Sequence, residues 1–253
     1  MTAYVGNRMR ALRILLILVV TVGVLFVIAD RVAVHFAEST AADKFKTMEN
    51  LSTTPDVSIH GFPFLTQLAA GSLDDVEVDI KDYEASTGTG GQKIRIDNLN
   101  ADLKDVKFSG SFSSATAKTA EGTATISYAE LLKAAQSDTT QIAPGVTAQV
   151  VGLSDGGNGK IKVAVDATVL GAKLPAPVDV LSSVTVNGDA VEVHADSLPQ
   201  IGGVSIAESS ARQLTDFRQV INQLPAGIKL DKVQATPDGV QITVKGSNVQ
   251  LAG

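Results

Sequence analysis

The chain of 253 residues has no cysteine and no tryptophan, and aromatic residues make up only 4% of it. Without cysteine there is no disulfide and no thiol chemistry, so cysteine usage gives no information about whether the protein is in an oxidising compartment. Acidic residues are also missing from residues 1–29, although the whole chain contains 27 of them. This last absence separates the N-terminal stretch from the rest of the chain.

The N-terminal stretch has the composition of a membrane segment behind a short basic tail. Its charges are Arg8, Arg10 and Arg13, and residues 14–29 contain Thr21 as their only polar side chain. As a helix, residues 14–29 would span roughly 24 Å, somewhat less than the ~30 Å of a hydrocarbon layer. Because basic flanks stay inside, the pattern predicts that the chain leaves the cytoplasm after this stretch.

We therefore predict a cytoplasmic tail at 1–13, a transmembrane signal anchor at 14–29 and an extracytoplasmic domain at 30–253. The alternative is a signal peptide cleaved after Val27-Ile28-Ala29, which would release the domain into the envelope. The domain keeps 18 of the 21 basic residues and all 27 acidic residues. This balance disfavours nucleic acid as a partner and predicts a local, apolar contact with the cytoplasmic membrane.

Three amphipathic helices are predicted after the apolar run. The first continues the membrane segment towards Pro55, with an apolar stripe at Ala33, Ala37, Ala41, Phe45 and Met48. The second begins at Ser127, where Glu130 would complete a capping box, and its stripe is Tyr128, Leu131, Leu132 and Ala135. The third covers about Glu208 to Gln223, with an apolar face at Leu214, Phe217, Ile221 and Leu224.

Much of the remaining sequence alternates between apolar and polar residues, as strands with one buried face do. The clearest hairpin, 184–193, turns at Asn187-Gly188, which fits a type I′ turn. Segment 233–244 turns in a similar way, 155–159 fits a further hairpin turn, and strands within 94–108 are expected to be interrupted around Asn98. The pattern predicts an α+β fold, a twisted antiparallel β-sheet meander wrapped around amphipathic helices.

A weak internal repeat suggests two helix-hairpin units within the domain. Residues 141–146 (Gln-Ile-Ala-Pro-Gly-Val) resemble residues 223–228 (Gln-Leu-Pro-Ala-Gly-Ile), at an offset of about 82 residues. Each copy lies between a predicted helix and a predicted hairpin. Because helix-then-hairpin units are common in α+β proteins, duplication and chance both stay open.

The most unusual segment is Val57–Val78, which places an aromatic loop between two alternating strands. It reads Val-Ser-Ile-His-Gly-Phe-Pro-Phe-Leu-Thr-Gln-Leu-Ala-Ala-Gly-Ser-Leu-Asp-Asp-Val-Glu-Val. Gly61 permits backbone angles closed to other residues and Pro63 fixes its own φ, so Phe62 and Phe64 should have a set geometry. The two rings either form a lip that faces lipid or fold back to fill the end of the sheet.

This block resembles the pattern V-x-I-x-G-F-P-F-L-T-Q-L-x-x-G-x-L-x-x-V-x-V of the LmeA-like phospholipid-binding family of actinobacterial envelope proteins. The N-terminal apolar segment, the helix before the block and the β-rich sequence after it fit the same family. The resemblance implies lipid binding outside the cytoplasmic membrane, in lipoglycan or envelope assembly. It also favours the lip over the folded-back loop. The predicted sheet wrapped around helices also resembles tubular lipid-binding folds, an analogy at the level of the fold.

No set of residues in the sequence points to catalysis. The three histidines lie on unrelated predicted elements, away from any partner at metal-ligand spacing: His35, His60 and His194. One strand face carries three carboxylates that could hold a divalent cation, although a solvated outer sheet face explains them as well: Asp75, Glu77 and Asp79. We predict no enzyme activity, no metal and no cofactor.

We expect the domain to hold or transfer a phospholipid or a lipid-linked glycan precursor, with the block a helix away from the bilayer. The residues expected to contact lipid are Phe62, Pro63, Phe64, Leu65, Leu68, Leu131, Leu132, Leu214, Phe217 and Ile221. On residue evidence alone, the members on the second and third predicted helices are ordinary core. The alternative function is a membrane-anchored scaffold that docks another envelope protein and binds no lipid.

Overall fold

The computed structural model describes residues 3–48, 50–86, 93–109, 114–135, 139–197, 208, 212, 216–220, 224 and 226–252. Within these residues three helices have described bounds, namely α1 (Ala3–Met48), α2 (Phe64–Ala70) and α3 (Tyr128–Ala135), and Glu208 and Arg212 are helical as well. They also form thirteen strands: β1 (Asp56–His60), β2 (Ser72–Ser86), β3 (Lys93–Phe108), β4 (Ala115–Ile126), β5 (Thr140–Ala143), β6 (Val146–Gly157), β7 (Lys160–Val169), β8 (Ala172–Lys173), β9 (Val178–Asn187), β10 (Ala190–Ala195), β11 (Phe217–Val220), β12 (Ile228–Thr236) and β13 (Gly239–Ala252).

The strands form two antiparallel sheets, and the predicted α+β class is confirmed. Sheet A has the order β1-β2-β3-β4-β13-β12, in which β2, β3 and β4 are a meander of long strands. Sheet B has the order β11-β10-β9-β7-β6-β5, and β8 pairs with β7. The sheets share one core, in which Val233, Ala235 and Val240 of sheet A pack with the buried residues of sheet B.

Helix α1 continues from the apolar run into the domain without a break, as predicted. Its segment Leu12–Met48 is long and apolar enough to cross a membrane. Past the apolar run, Val34 and Ala42 are buried against sheet A, with neighbouring alanines packed around them. Phe45 and Met48, predicted to continue this stripe, remain 40% and 76% exposed, so the packed face ends before the last turn.

Two local predictions are wrong in detail. Helix α3 starts after Ser127, but the Ser127 N–H donates to Asp97 at 2.9 Å, and the Glu130 carboxylate pairs with Lys133. The predicted interruption around Asn98 does not end β3, where Asn98 pairs with a strand on each side, although the pairing with β2 skips the adjacent Asp97. In both places the backbone groups form hydrogen bonds with residues that are distant in sequence.

The third predicted helix is confirmed at Glu208 and Arg212, which are helical, and is wrong at its C-terminal part. Phe217–Val220 forms β11, which pairs with β10 at the edge of sheet B. Leu214 and Ile221 lie outside the described residues, and Leu224 lies outside any helix or strand. A short segment gains more backbone hydrogen bonds at an open sheet edge than a four-residue helical turn offers, which explains the strand.

The structure contains some of the elements that the proposed repeat requires. Both predicted hairpins form, as β6-β7 and β12-β13. The first copy follows α3, whereas the second copy follows the strand β11. The repeat therefore stays a prediction.

Candidate functional site

The aromatic loop of the Val57–Val78 block contains a short helix that the sequence analysis did not predict. Helix α2 begins at Phe64, after a cis Phe62-Pro63 peptide, and is followed by Gly71 at a φ of 72°. Leu, Gln and Ala are good helix formers, and a left-handed glycine is the common way to end a helix. Phe64, Leu65 and Leu68 therefore lie on α2, and only Phe62 and Pro63 lie in a loop.

A buried carboxylate from α1 caps the start of α2. Asp30 directly follows the apolar run and is fully buried. Its Oδ1 accepts the Leu65 N–H at 2.8 Å, and its Oδ2 accepts a hydrogen bond from the Arg31 guanidinium at 2.8 Å. Pro63, at the N-cap position, offers no side-chain cap. Asp30 therefore satisfies the Leu65 N–H, one of the free N–H groups at the start of α2, and its charge lies at the positive end of the helix dipole. This contact fixes α2 beside the residue where the apolar run ends.

The two phenylalanines of the block have different environments. Phe64 is 3% exposed and packs in a small cluster with Val34, Leu73, Val106 and Ala117, which we call the α2 core. Phe62 is 58% exposed, and the guanidinium carbon of Arg31 lies 5.2 Å from its ring centroid. Phe64 therefore fills the end of sheet A, while Phe62 remains available to an apolar partner.

The apolar side chains of the loop and of α2 that remain exposed form what we call the α2 patch: Phe62, Leu68, Ala69 and Ala70. Helix α2 contacts α1. At 40% and 44%, Phe26 and Val27 are less exposed than the other large apolar residues of 12–28. The α2 patch thus lies next to the end of the apolar run. The sequence suggested that the length of a helix separates the block from the apolar run, but the hydrogen bond from Leu65 to Asp30 places the start of α2 directly beside the end of that run.

The remaining predicted lipid contacts lie elsewhere. Leu131 and Leu132 of α3 pack against the shared core of the two sheets. Phe217 is 59% exposed on the edge strand β11. Leu214 and Ile221 lie outside the described residues. The structure therefore gathers the members from Phe62 to Leu68 at one end of sheet A and places Leu131 and Leu132 in a different core.

The inner face of sheet A extends away from the α2 core as a band of half-buried apolar residues. It includes Leu99, Ala101, Leu103, Ala124 and Val244. Cross-strand register opposes Leu103 to Ala120 and Ala101 to Gly122, so small residues alternate with larger ones along it. We call this surface the inner band. Two concavities of about 250 and 380 Å³ lie on the described surface, and neither is lined by residues of the inner band.

The carboxylates on the outer face of β2 are paired with neighbouring side chains. Asn100 Nδ2 donates to Glu77 at 3.0 Å and to Asp79 at 2.9 Å, and Lys104 Nζ lies 3.4 Å from Asp75. Hydrogen bonds to Asp75 and then Asp102 raise the pKa of Lys104. In the described parts of the chain, no group of three or more His, Cys, Asp or Glu side chains is arranged for a metal. This face has the chemistry of a solvated sheet surface.

Comparison with known proteins adds a family. The sequence profile described as LmeA-like phospholipid-binding matches residues 28–245. No curated protein sequence matches the chain significantly. Among solved structures, the crystal structure of Burkholderia cenocepacia BcnA overlaps 68% of this chain and 94% of its own chain, at 14% identity and a TM-score of 0.21. An overlap of that quality supports no inference about fold or function.

Proposed function

This chain belongs to the LmeA-like phospholipid-binding family, and we propose that its domain takes up a phospholipid at the membrane surface beside α2. The family expected from the Val57–Val78 block is thereby confirmed. It is a family of lipid-binding proteins and not an enzyme family. The N-terminal apolar helix fits an association with the membrane.

One observation carries the location of the site, namely the hydrogen bond between Asp30 and the Leu65 N–H at the start of α2. Asp30 is the first charged residue after the apolar run, so an α1 inserted in a bilayer would emerge at this level. The α2 patch would then face the interface between headgroups and acyl chains. Full burial of a Phe or Leu side chain there contributes roughly 1.5–3 kcal/mol, which is enough to hold the patch against lipid.

The inner band offers a surface for the acyl chains. It begins at the α2 core, where Leu103 packs beside Phe64 and its neighbours, and it continues along the sheet through Leu99 and Ala124. Small side chains opposite larger ones leave shallow grooves that match a narrow hydrocarbon chain. Each buried methylene contributes ~0.8 kcal/mol. We therefore place the acyl chains of the bound lipid along the inner band, with the headgroup near α2.

The wider role is also part of the proposal. The basic residues before the apolar run favour an N-terminus inside the cytoplasm and a domain outside. From that position the domain would hold a phospholipid or a lipid-linked glycan precursor, or transfer it to a partner in envelope and lipoglycan assembly. Family membership supports the lipid, and the charge pattern supports the orientation.

The proposal is tested with the full chain purified in detergent. Phe62→Asp combined with Leu68→Asp places two charges on the α2 patch, and we expect bound phospholipid, measured by extraction and mass spectrometry, to fall at least about tenfold. The matched control is Leu170→Asp, which changes an 84% exposed leucine at the β7–β8 turn. This control should retain the lipid of the unaltered chain.

Two outcomes contradict the proposal. One is an unaltered chain that carries no phospholipid and acquires none from vesicles. The other is an equal loss of lipid in the Leu170→Asp control, because the α2 patch would then have no special role. A lipid-free chain that is cross-linked to one envelope protein would favour the scaffold alternative.

A further inference from the structure

We infer that a charged concavity beside α2 receives a phospholipid headgroup that carries both a phosphate and a primary amine. This inference rests on the proposed function, because it requires a phospholipid at this end of the domain. The concavity has a volume of about 250 Å³ and is lined by Ser72, Leu73, Asp74, Asp105, Lys107 and Lys118. We call it the headgroup concavity.

The headgroup concavity lies at the same end of sheet A as the α2 patch. Ser72, one of its lining residues, directly follows Gly71, which ends α2. The Gly71 carbonyl accepts the Phe108 N–H at 2.9 Å, and this bond joins the end of α2 to β3. In the sheet register Lys107 lies opposite Ser72 on one side and Thr116 on the other. Because Leu73 and Val106 face the α2 core, Ser72 and Lys107 lie on the other face of the sheet. A headgroup held here would therefore meet an acyl chain beside α2 around the end of the strands.

The headgroup concavity coincides with a break in the ladder of sheet A. Leu73 pairs with Val106 and Asp75 pairs with Lys104, so Asp74 and Asp105 between them are unpaired. The break continues into β4, where Lys118 is skipped in the pairing with β3. Asp105 has a φ of 50°, a left-handed conformation that is uncommon for residues other than glycine.

The charges in the headgroup concavity are only partly satisfied by the protein. Lys118 Nζ lies 3.1 Å from the Asp105 carboxylate, and these two charges neutralise each other. Across the described residues, neither the Lys107 ammonium nor the Asp74 carboxylate has an ion-pair or hydrogen-bond partner. The backbone N–H of Asp74 donates to Gln67 Oε1 at 2.8 Å, which fixes the residue to α2. One cation and one anion are thus left for a ligand.

A zwitterionic headgroup with a primary amine matches this pair of charges. Its phosphate would accept a charge-assisted hydrogen bond from Lys107, and its ammonium would donate one to Asp74. A choline headgroup has no N–H to donate and is usually held by aromatic faces, none of which line the headgroup concavity. A headgroup with only negative charge would leave Asp74 next to an unbalanced anion. Phosphoethanolamine therefore fits better than phosphocholine or phosphoglycerol.

The test is a competition among lipids for the full chain. The chain is equilibrated in detergent micelles with equal amounts of phosphatidylethanolamine, phosphatidylcholine and phosphatidylglycerol of identical acyl chains, and bound lipid is measured by mass spectrometry. We expect roughly fivefold enrichment of phosphatidylethanolamine, the upper range for an exposed ion pair. Asp74→Asn should abolish its advantage over phosphatidylglycerol, and Lys107→Gln should lower the loading of all three lipids. Lys81→Gln, at an exposed lysine of β2 outside the headgroup concavity, is the matched control and should change nothing.

The outcomes separate this inference from the proposed function. Loading without headgroup preference, or a preference that survives Asp74→Asn, overturns the headgroup inference and leaves phospholipid binding intact. Absence of all three lipids overturns the proposed function itself. A further arm adds free phosphoethanolamine in excess: unchanged lipid loading supports a site for the headgroup of a membrane lipid. Displacement of phosphatidylethanolamine alone, with loss of its enrichment, assigns the site to the soluble compound and overturns the lipid assignment.

Discussion

The α2 core and the core shared by the two sheets, called the shared core below, differ in the types of residue that form them. The shared core contains thirteen buried residues, all of them valine, isoleucine or alanine. The α2 core has five buried residues, includes the aromatic side chain of Phe64, and lies beside the buried carboxylate of Asp30. The shared core needs only apolar burial to form. The α2 core also needs one specific pair of elements, α1 and α2, to meet at one residue.

Because of this difference, the shared core contributes to the stability of the domain, whereas the α2 core also determines the position of helix α2. Removal of a methyl group from the shared core lowers the free energy of unfolding without changing which elements are in contact. In the α2 core, the same loss also releases the helix that carries the α2 patch. The comparison predicts that stability and lipid loading are linked in the α2 core and independent in the shared core.

The largest effect is expected from Phe64→Ala. Truncation of a buried phenylalanine costs about 3–5 kcal/mol of unfolding free energy, and the loosened α2 should also lose its phospholipid. Denaturant unfolding followed by circular dichroism, with lipid mass spectrometry on the same sample, measures both. The control is Phe62→Ala, which should change the unfolding free energy by less than about 1 kcal/mol while lowering lipid loading. Equal destabilisation by the two variants would contradict the different environments of the two rings.

A smaller effect on stability, and none on lipid, is expected from Val165→Ala in the shared core. Val165 is fully buried, and loss of its two methyl groups should cost about 2 kcal/mol. Lipid loading at a temperature where the variant is folded should equal that of the unaltered chain. If loading falls as far as in Phe64→Ala, the two cores are coupled and the comparison is wrong.

The smallest effect on stability is expected from Asp30→Asn, which keeps an oxygen acceptor but removes the charge opposite the start of α2. We expect a local loosening of α2 that leaves the bulk of both sheets folded. The absence of cysteine allows a direct measurement, because Phe62→Cys gives a single site for a polarity-sensitive dye in lipid nanodiscs. Emission at this site should shift to the red when Asp30→Asn is added. A dye at Leu170→Cys serves as the control, and an unchanged emission at residue 62 would argue against the cap.

The sequence was sufficient for elements that carry their own pattern. Helix α1 and the hairpins β9-β10 and β12-β13 follow from apolar spacing and from turn residues such as Asn187-Gly188. Strand β4 was not predicted because Ala, Lys, Glu and Gly, which are uncommon in strands, separate its threonines and it has few large apolar residues. It is a strand because β3 and β13 pair with both of its edges. Pairing of this kind depends on distant segments and leaves no local signal.

The sequence predicted which segment forms the site, but it did not predict how the side chains of that segment are placed in the fold. The motif located Phe62 to Leu68, yet nothing in it distinguishes the exposed ring of Phe62 from the buried ring of Phe64. Asp30 was missed because its partner Leu65 is 35 residues away. Its one sequence signal is that it is the first acidic residue after a long apolar run. A carboxylate at that position is costly unless the fold satisfies it, which makes such residues worth examining.

The unbroken course of α1 limits how far the domain can travel. Its 46 residues form one helix of roughly 70 Å, and the α2 patch is fixed to it at Asp30 rather than attached through a flexible linker. If the helix stays in the bilayer, the domain can diffuse and turn in the plane of the membrane, but it cannot reach a second membrane with its cargo. Delivery over a longer distance then requires a soluble acceptor at the same surface. Cleavage after Ala29 would remove that limit and still leave Asp30 in the released chain.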